Sequence, residues 1–479
     1  MKYDIIIIGA GLGGLTAGAK LAKEGKKILL IEQHDRPGGC ATTFRRHNYT
    51  MEVGLHEMDG LHGRDIKTKI FNDLGLFDNV KFLRVPEFYR FYNTRCDIVI
   101  PHDPVEATEV LTNYFPGEKE GIKKYFEHVL NARRIVAASR NIKDRSIGDF
   151  LDEIINNDDL KLALLGNLGY FHDDPYTLSY YYYLNAQGSY YGGGANFVKG
   201  GSQKLSDALS DIIIKNGGDV RLKHEVTEIF YEGNIPRGVR YKSTKGSNKI
   251  YSDRASEIIV NSSLPVLADK LLPSGKGKEL GHAIKDLKPG ASLLTVYYGF
   301  KTSLKNVGNK YYSTFIFDKS VKVQSDILIN NHSDFDKRSF TFVDYSQVES
   351  ALAPEGKSVG AACCTDYLQD WEELNRDEYE AKKARAAEMI TSRLDNLIPG
   401  FKNAVEYAEV ATALTVKRYT LNENGAVYGF AQKPGKSNDY LKVLPDNLYI
   451  ASAWGKFGGG FSGAIYSGYM TAMDILRKG

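Results

Sequence analysis

With 479 residues, 42% of them hydrophobic and 25% charged, the chain has an ordinary globular composition and enough apolar surface for two or three packed domains. Its 62 lysines and arginines nearly balance 59 aspartates and glutamates, and a formal charge of +3 leaves no basic surplus to argue for nucleic-acid binding. The four cysteines, Cys40, Cys96, Cys363 and Cys364, have neither metal-ligand nor disulfide-scaffold spacing, which predicts a reducing, cytoplasmic setting and no metal site.

The first predicted element is a strand. Ile5 to Ile8 form a short β-branched run of the kind buried on both faces of a parallel sheet, too short for a signal peptide or a membrane span. Gly9, Gly11 and Gly14 then satisfy GxGxxG where that strand turns into a helix, which ends near Gly25 before a second strand, Ile28 to Ile31. In such a unit Gly9 makes the turn, Gly11 lets a pyrophosphate touch backbone, and Gly14 lets helix and strand pack closely. Glu32 closes the second strand where an acid meets ribose hydroxyls. Strand, glycine turn, helix, strand and acid together predict a bound dinucleotide.

After Glu32 the chain reads HDRPGGCATTF, and Gly38 and Gly39 break it where an NAD-binding unit continues into a helix. Arg36, Gly38 and Gly39 match the RxGG that follows the ribose acid in the amine oxidase and phytoene desaturase superfamily of flavoproteins, which this region resembles. The resemblance implies FAD. It extends to the C-terminal end, where NLYIASAW (447 to 454) reads as a strand entering a glycine loop and 463 to 476 as a helix whose N-terminus faces the flavin. By resemblance Ala453, Gly459, Gly460 and Ile465 lie at the flavin, and Val226 offers backbone to the adenine. Ala453 stands where the amine oxidase branch carries an aspartate, and Lys456 and Phe457 where phytoene desaturases carry His-Pro. The segments 54 to 60, 115 to 126 and 411 to 430 are similar to the retinol saturase and carotenoid isomerase group.

The fold class expected is α/β: a Rossmann-type FAD-binding domain of the glutathione reductase and amine oxidase kind, with a discontinuous α+β substrate domain. The FAD domain is expected from residues 1–105, 190–275 and 410–479, and the substrate domain from 106–189 and 276–409. Within the latter, 377 to 397 reads as a helix, and 292 to 300 and 357 to 364 as strands. Residues 122 to 143 form an amphipathic helical pattern carrying Lys123, Lys124, Arg133, Arg134, Arg140 and Lys143. It reads either as a helix packed on its own domain or as a peripheral contact with a membrane surface.

No GxSxG, Cys/His or HExxH pattern supplies a nucleophile or metal, so the flavin is expected to carry the redox step. An apolar conjugated substrate suits such a site, and tyrosines suit its walls. Four consecutive tyrosines, 180 to 183, point all round a helix, so at most half face one cavity. His56 is the candidate proton donor, its alternative being a histidine that shapes the loop. Arg418 and Tyr419 are candidate active-site residues, with an ion pair as the alternative for Arg418. Cys40 reads as a small loop residue, and Cys363 and Cys364 as strand neighbours facing opposite ways.

The function expected is FAD-dependent chemistry on carbon-carbon double bonds of an apolar polyene or isoprenoid lipid, by saturation, desaturation or cis/trans isomerisation. Amine or amino-acid oxidation on the same fold, and a non-catalytic flavin-containing lipid carrier, are the alternatives. No second dinucleotide fold is visible, so NAD(P)H visits transiently or electrons come from a protein or quinone.

Overall fold

The computed structural model describes residues 2–63, 65–138, 144–246 and 249–478. Arg140 and Lys143 lie outside the described residues. The strands β1 (Ile5–Ile8) and β2 (Ile28–Ile31) are buried along their whole length and pair in parallel, Ile5 opposite Ile28. They sit inside a five-stranded parallel sheet with β3 (Asp219–Arg221), β4 (Glu257–Val260) and β5 (Leu448–Ile450), in the order β3-β2-β1-β4-β5.

Side chains alternate across this sheet, so each strand serves two cores. Ile5, Ile7, Ile28 and Leu30 join one hydrophobic cluster with Leu15 and Ala17 of helix α1 (Leu12–Lys23) and Leu209 and Ile213 of the helix Gln203–Lys215. Ile6, Ile8, Leu29 and Ile31 join another with Val226, Ile229, Val239 and Tyr241. Those four belong to a three-stranded antiparallel sheet, His224–Glu232, Ile235–Ser243 and Ile250–Arg254, that covers the second face.

A seven-stranded sheet builds the other half, in the order Val405–Ala411, Ser292–Phe300, Ser358–Asp366, Phe340–Asp344, Ser313–Ile316, Tyr89–Tyr92, Asp97–Ile100. All its pairings are antiparallel except that of Ser313–Ile316 with Tyr89–Tyr92. The two strands between residues 89 and 100 therefore belong to this sheet and not to the cofactor half, and the first cofactor piece ends before residue 89 instead of at 105. Chain position alone assigned them, and strand pairing across more than 200 residues is invisible locally. The helix Arg376–Leu397 is opened by a capping box between Asn375 and Glu378.

The amphipathic pattern from residue 122 is two helices, Lys119–Leu130 and Ala132–Ala138, interrupted at Asn131. Ile122, Phe126 and Val129 are buried and Leu130 is exposed. Both helices pack on the tyrosine-rich helix α2 (Tyr180–Gly193). The chain closes with α3 (Gly460–Lys478), which packs against α1. Among the described residues no helix is long and apolar enough to cross a membrane.

Candidate functional site

A cavity of about 1170 Å³ runs from the carboxyl ends of β1, β2, β4 and β5 to one face of the seven-stranded sheet, where Leu293, Thr295, Tyr297 and Cys363 line it. This crevice is where ligands of open parallel sheets bind, and its volume exceeds the roughly 300–1,000 Å³ of an ordinary small-molecule pocket.

At one end lies the glycine turn. Gly9 has φ +95°, which favours glycine, and a Cβ on Gly11 would stand 2.7 Å from Asn261 Nδ2. No side chain caps the N-terminus of α1, so its first amides remain available to an anion. Gly14 does not line the cavity. A Cβ there would meet Gly9 O at 2.3 Å, so its place is in helix-strand packing. Glu32 is buried and held rigidly: its carboxylate accepts from Ala10 N at 2.8 Å and from His34 N at 2.9 Å. Val226 lines the same end. Asn261, whose Nδ2 donates to Gly9 O, was missed from sequence; its signal was a polar residue closing the apolar run of β4.

Gly38 and Gly39 form the next wall, both with positive φ, and Gly38 N donates to Ala10 O at 2.7 Å. Arg36 points elsewhere. Its guanidinium pairs with Asp35 and donates to Thr43 O, bracing the loop without lining the cavity, which corrects the expected cofactor contact. Ser452, Ala453, Gly459 and Gly460 line the far wall. The missing side chain of Gly459 makes room for protein: a Cβ would lie 2.5 Å from Tyr428 Cα. Ile465 is fully buried in the core under α3 and lines nothing, a second correction.

His56 does line the cavity, and Tyr170, Phe171, Tyr182, Tyr190, Tyr297 and Tyr428 wall the region around it. Of the four-tyrosine run only Tyr182 faces this space. Its neighbour Tyr183 is buried against Leu164 and Tyr125. Burial pushes the His56 imidazole down to about 4, and its Nδ1 lies 3.0 Å from Tyr170 Oη. At neutral pH this histidine is uncharged, and it is a poor source of an acidic proton.

Arg418 and Tyr419 stand apart from His56. Arg418 is exposed and lines nothing; Tyr419 is 56% exposed and touches His34, at the Glu32 end. Of the two, Tyr419 lines the cavity, at its Glu32 end, and Arg418 does not. Cys40 and Cys363 line the cavity as neutral thiols, Cys40 raised to about 11 by burial and Cys363 higher still. Cys364, on the opposite face of its strand, packs into the core beneath the sheet.

Four charged residues were missed by sequence reasoning. Lys67, 2% exposed, places its ammonium 2.9 Å from Asp59 and 3.4 Å from Asp65, and all three line the cavity. Ser462, in the first turn of α3, donates to the other oxygen of Asp59. Burial opposes ionisation of Asp59, but Lys67, Ser189 and Ser462 outweigh it and hold the carboxyl below its ordinary range. Glu57 also lines the cavity, and neither of its oxygens has a hydrogen-bond partner.

The residues from 52 to 56 are fastened from both sides. Glu52, buried, accepts from Gly54 N, Leu55 N and both the amide and hydroxyl of Ser202. From the seven-stranded half, Tyr297, Tyr345 and Tyr312 donate to the carbonyls of Val53, Leu55 and His56.

Uncapped amides, a glycine turn and a fixed carboxylate at the strand ends form a cradle that fits a dinucleotide. The model for the family "Flavin containing amine oxidoreductase" matches residues 12–476. The chain belongs to that family. This oxidoreductase is FAD-dependent, and its superfamily includes the phytoene desaturases. It is similar to prolycopene isomerase of Daucus carota, 26% identical, over 99% of this chain and 80% of the relative. It is 25% identical to all-trans-retinol 13,14-reductase of Danio rerio over 89% of this chain and 77% of the relative. The fold is that of cyclohexylamine oxidase from Brevibacterium oxydans, at a TM-score of 0.64 and 15% identity, covering 100% of this chain and 99% of that one.

Proposed function

We propose that this flavin oxidoreductase acts on carbon-carbon double bonds of an apolar polyene or isoprenoid lipid. The observation that carries the reading is the tyrosine-walled region of the cavity, continuous with the dinucleotide crevice and walled by Tyr170, Tyr182, Tyr190, Tyr297 and Tyr428. Aromatic faces suit a conjugated substrate, and the substrates in the relatives' names, prolycopene and all-trans-retinol, are polyenes.

Glu32 holds the ribose, the turn at Gly9 and Gly11 with the N-terminus of α1 takes the pyrophosphate, and Gly38, Gly39 and Ala453 border the flavin. FAD supplies the two-electron redox chemistry there. Saturation or isomerisation is the direction favoured, with NAD(P)H as a transient reductant. Arg133 and Val136, on the short helix Ala132–Ala138, also line the cavity, so an apolar substrate enters there, beside the basic Lys123, Lys124 and Arg134. Anionic liposome flotation tests that membrane contact; a protein left in the pellet fraction removes it.

The deciding experiment is an anaerobic visible spectrum of the holoenzyme before and after NADPH or NADH, followed by prolycopene or all-trans-retinol. Bleaching of the flavin and conversion of the polyene support the reading. Hydrogen peroxide produced with amines, and no conversion of any polyene, replaces it with amine oxidation.

A further inference from the structure

We infer that the substrate is acidic at one end, and that Arg133 and Lys456 hold its carboxylate or phosphate at the mouth of the cavity while the apolar chain lies among the tyrosines. The assignment rests on the double-bond reading above and narrows its substrate class, from a hydrocarbon to an amphipathic polyene or isoprenoid with an anionic head.

One face of α2 lines the cavity through Tyr182, Asn185, Ala186 and Ser189, which are neighbours at helical spacing. Tyr182 and Ser189 stand about 10 Å apart along the helix axis. At the Ser189 end the helix Ala132–Ala138 packs against α2 so closely that a Cβ on Gly188 would lie 3.4 Å from Ala132 Cβ, and Arg133 follows directly. At the Tyr182 end the loop before α3 closes in. A Cβ on Gly458 would lie 3.2 Å from Tyr182 Cε2, and Lys456 stands two residues earlier. Arg133 and Lys456 thus flank the two ends of one cavity-lining face, and both line the cavity themselves and are exposed.

Among the described residues neither cation has an ion pair or a hydrogen bond; Lys456 only lies over the adjacent Phe457 ring, 5.4 Å from its centroid. Their neighbours differ. Lys124, on the preceding helix, pairs with Glu153, and Lys67, deeper in the cavity, is held by Asp59 and Asp65. Glu57, the remaining acid of that region, has both oxygens closed off. The mouth therefore presents two positive charges that no acid of the chain answers. A guanidinium fork matches the paired oxygens of a carboxylate or phosphate, and long basic side chains lay their stems on apolar walls while the charge stays in water. An acid left at the mouth keeps its hydration while the chain behind it is buried, so the arrangement avoids the cost of carrying an anion inside. An amine would meet two like charges there.

The test is equilibrium dialysis of the oxidised holoenzyme against all-trans-retinoic acid and all-trans-retinol, which share one chain and differ at its end. The acid is expected to bind about 10-fold more tightly at low ionic strength, with the preference shrinking in high salt. Arg133→Gln and Lys456→Gln are each expected to lower the acid-to-alcohol affinity ratio about 3–10-fold, and the double variant to abolish the preference. The ratio is the readout because a variant that merely folds poorly loses both ligands alike. Equal binding of the two retinoids by the wild type overturns the proposal, and so does a double variant that keeps the preference. Flotation with phosphatidylglycerol and with phosphatidylcholine vesicles separates the two sources of an anionic head. Variants that lose only phosphatidylglycerol binding and keep the acid-to-alcohol ratio assign the two cations to a lipid surface and overturn the proposal. Binding is read without turnover. Retinol conversion with no preference for the acid overturns the acidic end alone, whereas a preference for the acid in a protein that converts neither retinoid supports the acidic end and overturns the double-bond reading.

Discussion

At Glu32 the carboxylate is already oriented by Ala10 N and His34 N, and on the proposed reading its remaining lone pairs accept from the ribose hydroxyls. Glu32→Arg replaces those acceptors with a donor-only group. A charge-assisted hydrogen bond contributes about 1.5–3 kcal/mol, so the variant is expected to bind FAD roughly 10–100-fold more weakly and to purify nearly colourless, read from the ratio of visible to ultraviolet absorbance. His56 gives a pH prediction. Its folded value, about 4, lies below the ordinary 6.5, so the unfolded chain takes up the proton first. The stability this residue contributes is complete above pH 6.5 and is lost as pH falls through 4, on the order of 3 kcal/mol in all. Urea melts of wild type and His56→Phe at pH 7 and pH 5 check it: the difference between the two pH values is expected to shrink in the variant. Glu32 and the glycines were legible because their geometry is local to one strand and one turn. Asn261 was not, because its partner Gly9 stands 252 residues earlier, and Lys67 and Glu57 were not, because their burial at the cavity wall is set by the fold and not by their neighbours in the chain.

At the scale of elements, α1 and α3 meet through glycine. A Cβ on Gly13 would lie 1.6 Å from Ala451 O, and one on Gly468 2.1 Å from Gly13 O, so both backbones occupy the space a methyl group needs. Gly13→Ala is expected to force α1 away from the end of β5, destabilise the protein by about 1–3 kcal/mol and reduce FAD retention, measured by chemical denaturation and flavin content. An unchanged denaturation midpoint with full flavin would show that the helices part without penalty. The run of glycines from 458 to 460 advertised a close approach, and the element that approaches Gly459 is the backbone of Tyr428. Composition reveals such a need for space without naming what fills it.

For the whole molecule, the cavity touches both halves, and the residues from 53 to 56 are clasped between Glu52 and three tyrosine hydroxyls of the opposing half. Part of the chain's richness in tyrosine thus serves the seam between its halves. A ligand bound across that seam stabilises both. FAD at 100 times its Kd is expected to add about 2.7 kcal/mol, seen as a rise in Tm of the holoenzyme over the flavin-free protein. Two separate transitions, only one of them sensitive to FAD, would contradict a seam shared by the two halves. The place of Tyr89–Tyr92 was not legible from the sequence, since that strand finds its partner at Ser313–Ile316.

The five-stranded sheet has a further consequence for how the protein is made. Its strands β1 and β2 leave a ribosome early, β3 and β4 much later, and β5 only after the entire seven-stranded half has been synthesised. The wall bearing Ala453 and the first turn of α3 follows β5. A nascent chain therefore carries an incomplete sheet until residue 450 is made, without the wall of the cavity that follows β5. The cavity is consequently complete only when the last tenth of the chain has been made, and whatever it binds is enclosed at the end of synthesis.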